Sequence, residues 1–309
     1  MRLVIDTDAG VDDAVAILLA LHAFPGEQVV GITTVFGNVN VHQANHNVKH
    51  ILQAAGRSQI SVHSGASKAI ISSVSEVTWA GHGPDGLGGE SGKAEAPVIA
   101  AQSNKAAHAL IDLAYKYSGQ LVIAALGPLT NIALAILLDP NFMVNIKKLV
   151  VMGGLSPGND NHTMHAEFNV SCDPEATEIV YQHSNALKLY VLPFDTSLNN
   201  AISWEKFDKI FHEKVNSHGE YIKRIWKFTR ACSKNDGFLP CDAHAIAILL
   251  HPDFVKSASA LRGRIHLAPD GKRGACIWGS NFLPDQANVT LVTHIDNRVF
   301  NDLLNRLAV

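Results

Sequence analysis

The segment Asp6–Ile17, DTDAGVDDAVAI, places four aspartates, Asp6, Asp8, Asp12 and Asp13, within eight positions. Carboxylates this close repel one another, and each resists ionisation while its neighbours are charged. Something must compensate them. A calcium-binding EF-hand loop needs Gly at its sixth position and Glu at its twelfth. Counted from Asp6 those are Val11 and Ile17, which excludes it. A phosphatase with an aspartate nucleophile also places its acid after a first strand, but its DxDx[TV] pattern calls for Thr or Val where this chain has Gly10. A calcium site at a strand-to-helix turn fits all four acids, with Asp12 and Asp13 opening a helix whose dipole favours negative charge. Helix capping alone accounts for one or two of the acids, not four around a glycine turn.

The elements that position these residues follow from periodicity. Strand-like runs are Leu3–Asp6, Val29–Val35, Leu121–Leu126, Lys148–Met152, Leu187–Pro193 and Val289–His294. Helical stretches are Asp12–Ala23, Val41–Ala55, Lys105–Ser118, Leu129–Leu138, Pro174–His183, Trp204–Val215, Asp242–Leu250 and Asn297–Leu307. Strand and helix alternate, which predicts an α/β fold with a mainly parallel, mixed sheet flanked by helices. No linker or composition shift divides the chain, so residues 1–309 are expected to form one domain. Polar residues gather after the strands: Asp8, Asn38, Asn131, then Asn159, Glu167 and Asn169, and Asp195. Parallel strand ends lie on one edge, where such folds bind ligands, so distant residues are predicted to converge there. Gly81–Gly92 and Ser156–His165 read as long loops beside that edge.

The remaining composition narrows the function. With 47% hydrophobic residues and a formal net charge of −3, the chain has ample core and no basic block for nucleic acid or an anionic membrane. No apolar run approaches the ~20 residues of a membrane span. Four scattered cysteines form no CxxC pair, which fits free thiols in a reducing cytoplasm. His42, His46 and His50 share a helix face at four-residue spacing, but without an accompanying carboxylate they read as a solvated or packed stripe.

DTDAGVDDAVAI resembles the N-terminal signature of the nucleoside hydrolases, the inosine-uridine type ribonucleoside N-ribohydrolases. The likeness continues through TTVFGNV (Thr33–Val39), ALGPLTNIALAI (Ala125–Ile136), VVMGG (Val150–Gly154), HAEFNVSCDPEA (His165–Ala176) and PCDAHAIA (Pro240–Ala247), in order along essentially the whole chain. The resemblance implies a Rossmann-like fold, one Ca²⁺, a homodimer or homotetramer, and hydrolysis of ribonucleosides to base and ribose for nucleoside salvage. Carried over residue by residue, it implies Asp8 as general base. Asp8, Asp13, Asp242 and the Leu126 carbonyl would be calcium ligands. Asp12, Asn38, Met152, Asn159, Glu167 and Asn169 would contact the ribonucleoside substrate. Asp6 is expected to brace the turn by hydrogen bonds.

By themselves several of these positions have plainer readings. Asp242 precedes an apolar helix and is a plausible N-cap. Glu167 and Asn169 alternate with Phe168 and Val170, as on the solvent side of a strand, and Asn38 after Gly37 fits a turn. The chain also departs from the family pattern. Where many members carry His before the aspartate matched by Asp242, this chain has Cys241, as in the cysteine-bearing branch. A thiol of ordinary pKa ~8.5 is a poor proton donor beside an imidazolium, so Cys241 reads first as a small apolar pocket residue. His82, in the loop GHGPDGLGG, and His244, three residues beyond Cys241, are the other candidates for protonating the departing base. The alternatives are a phosphatase-like hydrolase on the same aspartates and a nucleoside- or ribose-binding protein without turnover.

Overall fold

The computed structural model describes residues 1–71, 80–91, 105–158, 165–212, 214–232, 237–279 and 286–309. Among the described residues nine strands form one sheet: β1 (Arg2–Thr7), β2 (Val29–Thr34), β3 (Val62–Ser64), β4 (Leu121–Ala125), β5 (Lys148–Met152), β6 (Leu189–Leu192), β7 (Val255–Ile265), β8 (Cys276–Gly279) and β9 (Val289–Ile295). Their order is β3-β2-β1-β4-β5-β6-β9-β7-β8. All pairs from β3 to β9 run parallel, and β7 and β8 add antiparallel strands at one edge. The expected mixed α/β sheet is therefore present. The helices are α1 (Val11–Ala23), α2 (Val41–Ala54), α3 (Ala106–Lys116), α4 (Thr130–Leu138), α5 (Phe142–Asn145), α6 (Phe168–Cys172), α7 (Pro174–Gln182), α8 (Phe194–Leu198), α9 (Trp204–Ile210), α10 (Ser217–Cys232), α11 (Cys241–Leu250) and α12 (Asn297–Ala308).

Strand alternation builds two cores. Leu3 and Ile5 of β1 point into one, shared with α1, α2 and α9–α12; Val4 points into the other, shared with α3, α4, α5 and α7. Period-two side chains make this unavoidable for a sheet covered on both faces. α1 is buried from Ala14 to Leu21. It packs against α11, with α2, α10 and α12 around it, which is why it is largely apolar rather than amphipathic. Truncating Ile17 there should cost about 2–5 kcal/mol. Among the described residues no helix is long and apolar enough to cross a membrane.

Sequence periodicity missed β3, β7, β8 and helices α5, α6, α8 and α10. β7 has no apolar alternation because Lys256–Ala260 are exposed. The predicted helix Trp204–Val215 stops at Ile210, and the adjoining helical signal belongs to α10. Glu167 and Asn169 are not on a strand. Glu167 caps α6, its carboxylate accepting from the backbone N–H groups of Asn169 and Val170, and both residues are buried.

Candidate active site

β1 ends where the strand order reverses, with β2 on one side and β4 on the other. That switch point is a natural crevice. The chain leaves it through Asp8, Ala9 and Gly10 and enters α1 at Val11. The turn is tight: Ala9 takes φ 56°, the one positive φ outside glycine among the described residues. Its N–H donates to Thr7 Oγ1 at 3.1 Å and its carbonyl accepts from Asn47 Nδ2 at 3.0 Å. Asp6 lies on the same face of β1 as Val4, toward α4, accepting from the Thr33 hydroxyl and, at 2.8 Å, from Asn131 Nδ2. It braces β1 against β2 and α4.

The turn aims three acids at one point, and α11 brings a fourth. Asp8 is fully buried. It accepts from the Asn38 backbone N–H at 2.7 Å and from Asn38 Nδ2 at 3.1 Å. Gly37 permits this closeness, since a Cβ there would sit 2.1 Å from Asp8 Oδ2. Asp13 accepts from the Thr7 hydroxyl, from Gly10 N–H at 2.8 Å and from Asn38 Nδ2 at 3.2 Å. Asp242, the second residue of α11, is 2% exposed. Oxygens of Asp12, Asp13 and Asp242 lie within 4.8 Å of one another, and Asp8 lies in hydrogen-bonding reach of Asp13. The tightest three-carboxylate group thus contains Asp12 where the resemblance implied Asp8.

The electrostatics are severe. Burial, then the charge of Asp13, pushes the Asp8 carboxyl well above the usual carboxylate range. Burial and then Asp12, Asp13 and Asp8 do the same to Asp242. Burial raises Asp12 to about 6 and Asp6 to about 7. No Lys or Arg pairs with these acids among the described residues, and Asp12 Oδ1 is buried without a hydrogen-bond partner. A divalent cation is the compensation that fits: a hard ion coordinates oxygens at about 2.3–2.6 Å, so opposing ligands stand roughly 5 Å apart. The donor set is all oxygen, which selects a hard ion over a soft one.

A cavity of about 310 Å³ opens above the acids, near the lower end of small-molecule pockets, roughly 300–1,000 Å³. Its polar lining includes Asp12, Asn38, Glu167, Asn169 and Asp242. Its apolar lining includes Leu126, Met152, Phe168, Phe194, Leu198, Trp226 and Leu239. Asn169 Nδ2 donates to the Leu126 carbonyl at 2.8 Å and the Met152 carbonyl at 3.2 Å, leaving its Oδ1 as the free end. Glu167 Oε2 accepts from Gly154 N–H at 3.0 Å. Asn159 lies outside the described residues. Trp226, Thr229 and the walls from α8 were not anticipated. The signal for the α10 wall was the run Ile222, Ile225 and Trp226, an apolar stripe at helical spacing; five-residue α8 carried none.

The three proton-donor candidates separate. His82 lines the cavity, and its Nδ1 accepts from Val11 N–H at 3.2 Å. Burial lowers its pKa to about 4, so the ring is neutral with its proton on Nε2. Its Nδ1, 3.7 Å from Asp12 Oδ1, therefore makes no ion pair. Cys241 also lines the cavity, and burial pushes its thiol well up. His244 is not brought to the site. It is fully buried, packs edge-on against Phe300 at 4.3 Å, and both ring nitrogens lack partners. Three residues along α11 from Cys241 share a side of the helix, but Cys241 faces the cavity from the first turn while His244 faces α12.

Sequence and structure comparisons decide what this geometry is for. The sequence model of the inosine-uridine preferring nucleoside hydrolases matches residues 3–302. The chain belongs to the nucleoside hydrolase family. It is 40% identical to uridine nucleosidase 1 of Arabidopsis thaliana over 239 residues, 76% of this chain and 69% of the relative. It is 31% identical to a non-specific ribonucleoside hydrolase of Salmonella newport, over 82% of this chain and 79% of that one. Among solved structures, an inosine-guanosine nucleoside hydrolase superposes with TM-score 0.88 at 29% identity, covering 99% of this chain and 98% of its own. A purine-preferring ribonucleoside hydrolase from Gardnerella vaginalis gives 0.86 at 26%, covering 99% and 98%. As a nucleoside hydrolase the chain is an enzyme acting on N-glycosyl compounds, which sets aside the phosphatase and the binding protein without turnover.

Proposed function

We propose that this nucleoside hydrolase is calcium-dependent and cleaves the N-glycosidic bond of ribonucleosides, releasing base and ribose for salvage. The observation that carries the reading is the cluster of buried Asp8, Asp13 and Asp242 with partly buried Asp12, which has no Lys or Arg partner among the described residues. Asp8, Asp13, Asp242 and the Leu126 carbonyl would hold the ion; bound there, calcium supplies the positive charge that acidifies a water and anchors sugar hydroxyls.

The chain's own residues do the rest. Asp8, fixed by two hydrogen bonds from Asn38, is the base that takes the proton of the attacking water. Attack at the anomeric carbon develops oxocarbenium character, and buried carboxylates stabilise that positive charge. Asp12, Glu167, the free Oδ1 of Asn169, and Asn159 meet the ribose hydroxyls, with Asn38 and Met152 beside them. The apolar walls exclude water from the base. His82, a neutral Nε2–H donor, can hydrogen-bond the departing base, whereas the Cys241 thiol is held protonated and fills space. The enzyme is proposed to be one domain, to act in the cytoplasm, and to assemble as a homodimer or homotetramer.

Incubation of chelator-treated protein with a panel of ribonucleosides, before and after adding calcium, tests the reading by a reducing-sugar assay. Ribose release restored by calcium is expected. Equal release with and without calcium, in protein shown metal-free by elemental analysis, would overturn the calcium role. Release from no nucleoside would overturn the substrate class.

A further inference from the structure

Asn47 is fully buried on α2 and none of its atoms belongs to the cavity. Both amide protons are committed to carbonyls on other segments. One goes to Ala9 at 3.0 Å, inside the turn that carries Asp8. The other goes to Asp85 at 2.8 Å, inside the loop that carries His82. Its Oδ1 accepts from Gln43 Nε2 at 2.8 Å, and Gln43 also reaches Ser91 Oγ at 3.1 Å. Ser91 in turn donates from its hydroxyl and backbone to Asp85 Oδ2, at 2.7 and 2.9 Å. The Asp85 carboxylate gathers Leu87 and Gly89 N–H on its other oxygen, at 2.9 and 2.7 Å. The loop is thus a closed knot, and Asn47 is its tie to the aspartate turn. Gly86 lets the two approach: a Cβ there would lie 2.8 Å from Val39 Cγ1 and 3.0 Å from Asn47 Nδ2.

We propose that Asn47 is a positioning residue that, beside the direct bond from Val11 N–H to His82 Nδ1, holds the Asp8 turn and the His82 loop in register, so that proton removal from water and hydrogen bonding to the base are coupled through its amide. The kinetic part rests on the roles proposed above for Asp8 and His82; the structural coupling does not. The physical case is that the amide satisfies two buried carbonyls at once, and loss of either leaves a costly orphan. The only strained non-glycine backbone among the described residues, at Ala9, persists because this bond over-determines it.

Two substitutions test it. Asn47→Leu keeps the bulk and removes both donors. Gly86→Ala wedges the loop away and leaves Asn47 in place, which keeps the test alive if Asn47→Leu does not fold. The first measurement needs no activity: hydrogen exchange followed by mass spectrometry. Peptides spanning residues 6–13 and 80–91 should exchange faster together in either variant, with β4–β6 unchanged. The second is kinetics on a ribonucleoside. Sub-ångström displacement of a reacting group is costly, so kcat should fall roughly 10–100-fold with KM within about threefold. A role confined to stability would lower the melting temperature and leave the folded enzyme's kcat intact. Wild-type exchange in both segments, or altered exchange in one alone, overturns the coupling. Altered exchange in both with unchanged kcat overturns the positioning role. An inactive wild type counts against the proposed function, and the exchange measurement still decides the coupling.

Discussion

Two groups of buried carboxylates in this molecule are treated in opposite ways. At the junction of α7 with β7 and β8, Glu178 accepts from Arg264, from Ile265 N–H at 2.7 Å and from Gln182 Nε2 at 2.6 Å. Glu175 is paired with Arg273 nearby. At the carboxyl ends of β1, β2 and β4, four acids are packed together with amide and hydroxyl donors but no Lys or Arg among the described residues. The α7 carboxylates bring their cations with them; the cluster at the strand ends has none among the described residues. The cost appears as carboxyls raised far above their ordinary range.

The sharpest test of the second region is its use of the sugar. A pocket built to bond the 2′-hydroxyl is left with unpaired polar groups when it is missing. Uridine should therefore exceed 2′-deoxyuridine in kcat/KM by ~10⁴-fold. Comparable efficiencies would remove Asp12 and Asn169 from ribose recognition. Next comes an exchange of effects between the regions. Asp8→Asn keeps shape and loses basicity, so kcat should fall by roughly 10²–10⁴-fold, while the metal-free protein melts no lower, because a repelled buried acid has gone. Glu178→Gln should do the reverse, costing about 1–3 kcal/mol of stability with kcat unchanged. Stability loss in Asp8→Asn, or activity loss in Glu178→Gln, would erase the distinction.

The pH dependence is a smaller effect with a definite sign. In metal-free protein Asp12 and Asp6 titrate at about 6 and about 7, above the ordinary 3.8. The folded chain therefore holds protons that the unfolded chain has released. Stability from this source is full below about pH 4 and is lost as pH rises through 6 and 7. Chelator-treated protein should melt lower at about pH 8 than at about pH 5, and calcium should restore more at the higher pH. A melting temperature that climbs across that window contradicts the assignment. The smallest expected effects belong to the two donor candidates of α11. Cys241→Ala and His244→Leu should each keep kcat on uridine within about threefold, since a buried neutral His with two orphaned nitrogens gains little from its polarity. A loss beyond tenfold in Cys241→Ala, absent on a p-nitrophenyl riboside, would make the thiol the acid.

How much of this was legible in the sequence depends on whether a residue acts through its type or its surroundings. The parallel strands β1, β2, β4, β5, β6 and β9 were readable because strands buried on both faces are apolar runs. The acids of the first turn were readable because four carboxylates in eight residues demand compensation. The plainer reading of Glu167 as a strand residue fails because an N-cap followed by a five-residue helix carries no period to detect. β7 was invisible because Lys256 to Ala260 are all exposed and its Ser-Ala-Ser-Ala run carries no large apolar residue to mark a buried face. His244 looked available because helical spacing fixes only which side of α11 a residue shares, not what lies opposite; Phe254 and Phe300 do. Asn47 gave no signal at all, since an amide acting through two carbonyls depends wholly on tertiary neighbours.

The place of β9 in the sheet bears on the order in which the molecule is made. β9 is the last of these nine strands to be synthesised, yet it lies between β6 and β7 and is the link through which β7 and β8 join the parallel sheet. Until residue 295 has left the ribosome, β6 is a bare edge and the β7–β8 hairpin has nothing to pair with. Exposed edges of that kind recruit other chains. A chain stopped before Val289 should be recovered from cells as aggregate rather than as soluble enzyme, even though every residue assigned here to the ion is already in it. Soluble recovery of such a chain would show that the first six strands close on their own. The acids are complete once Asp242 has been made; the sheet around them is finished only with β9.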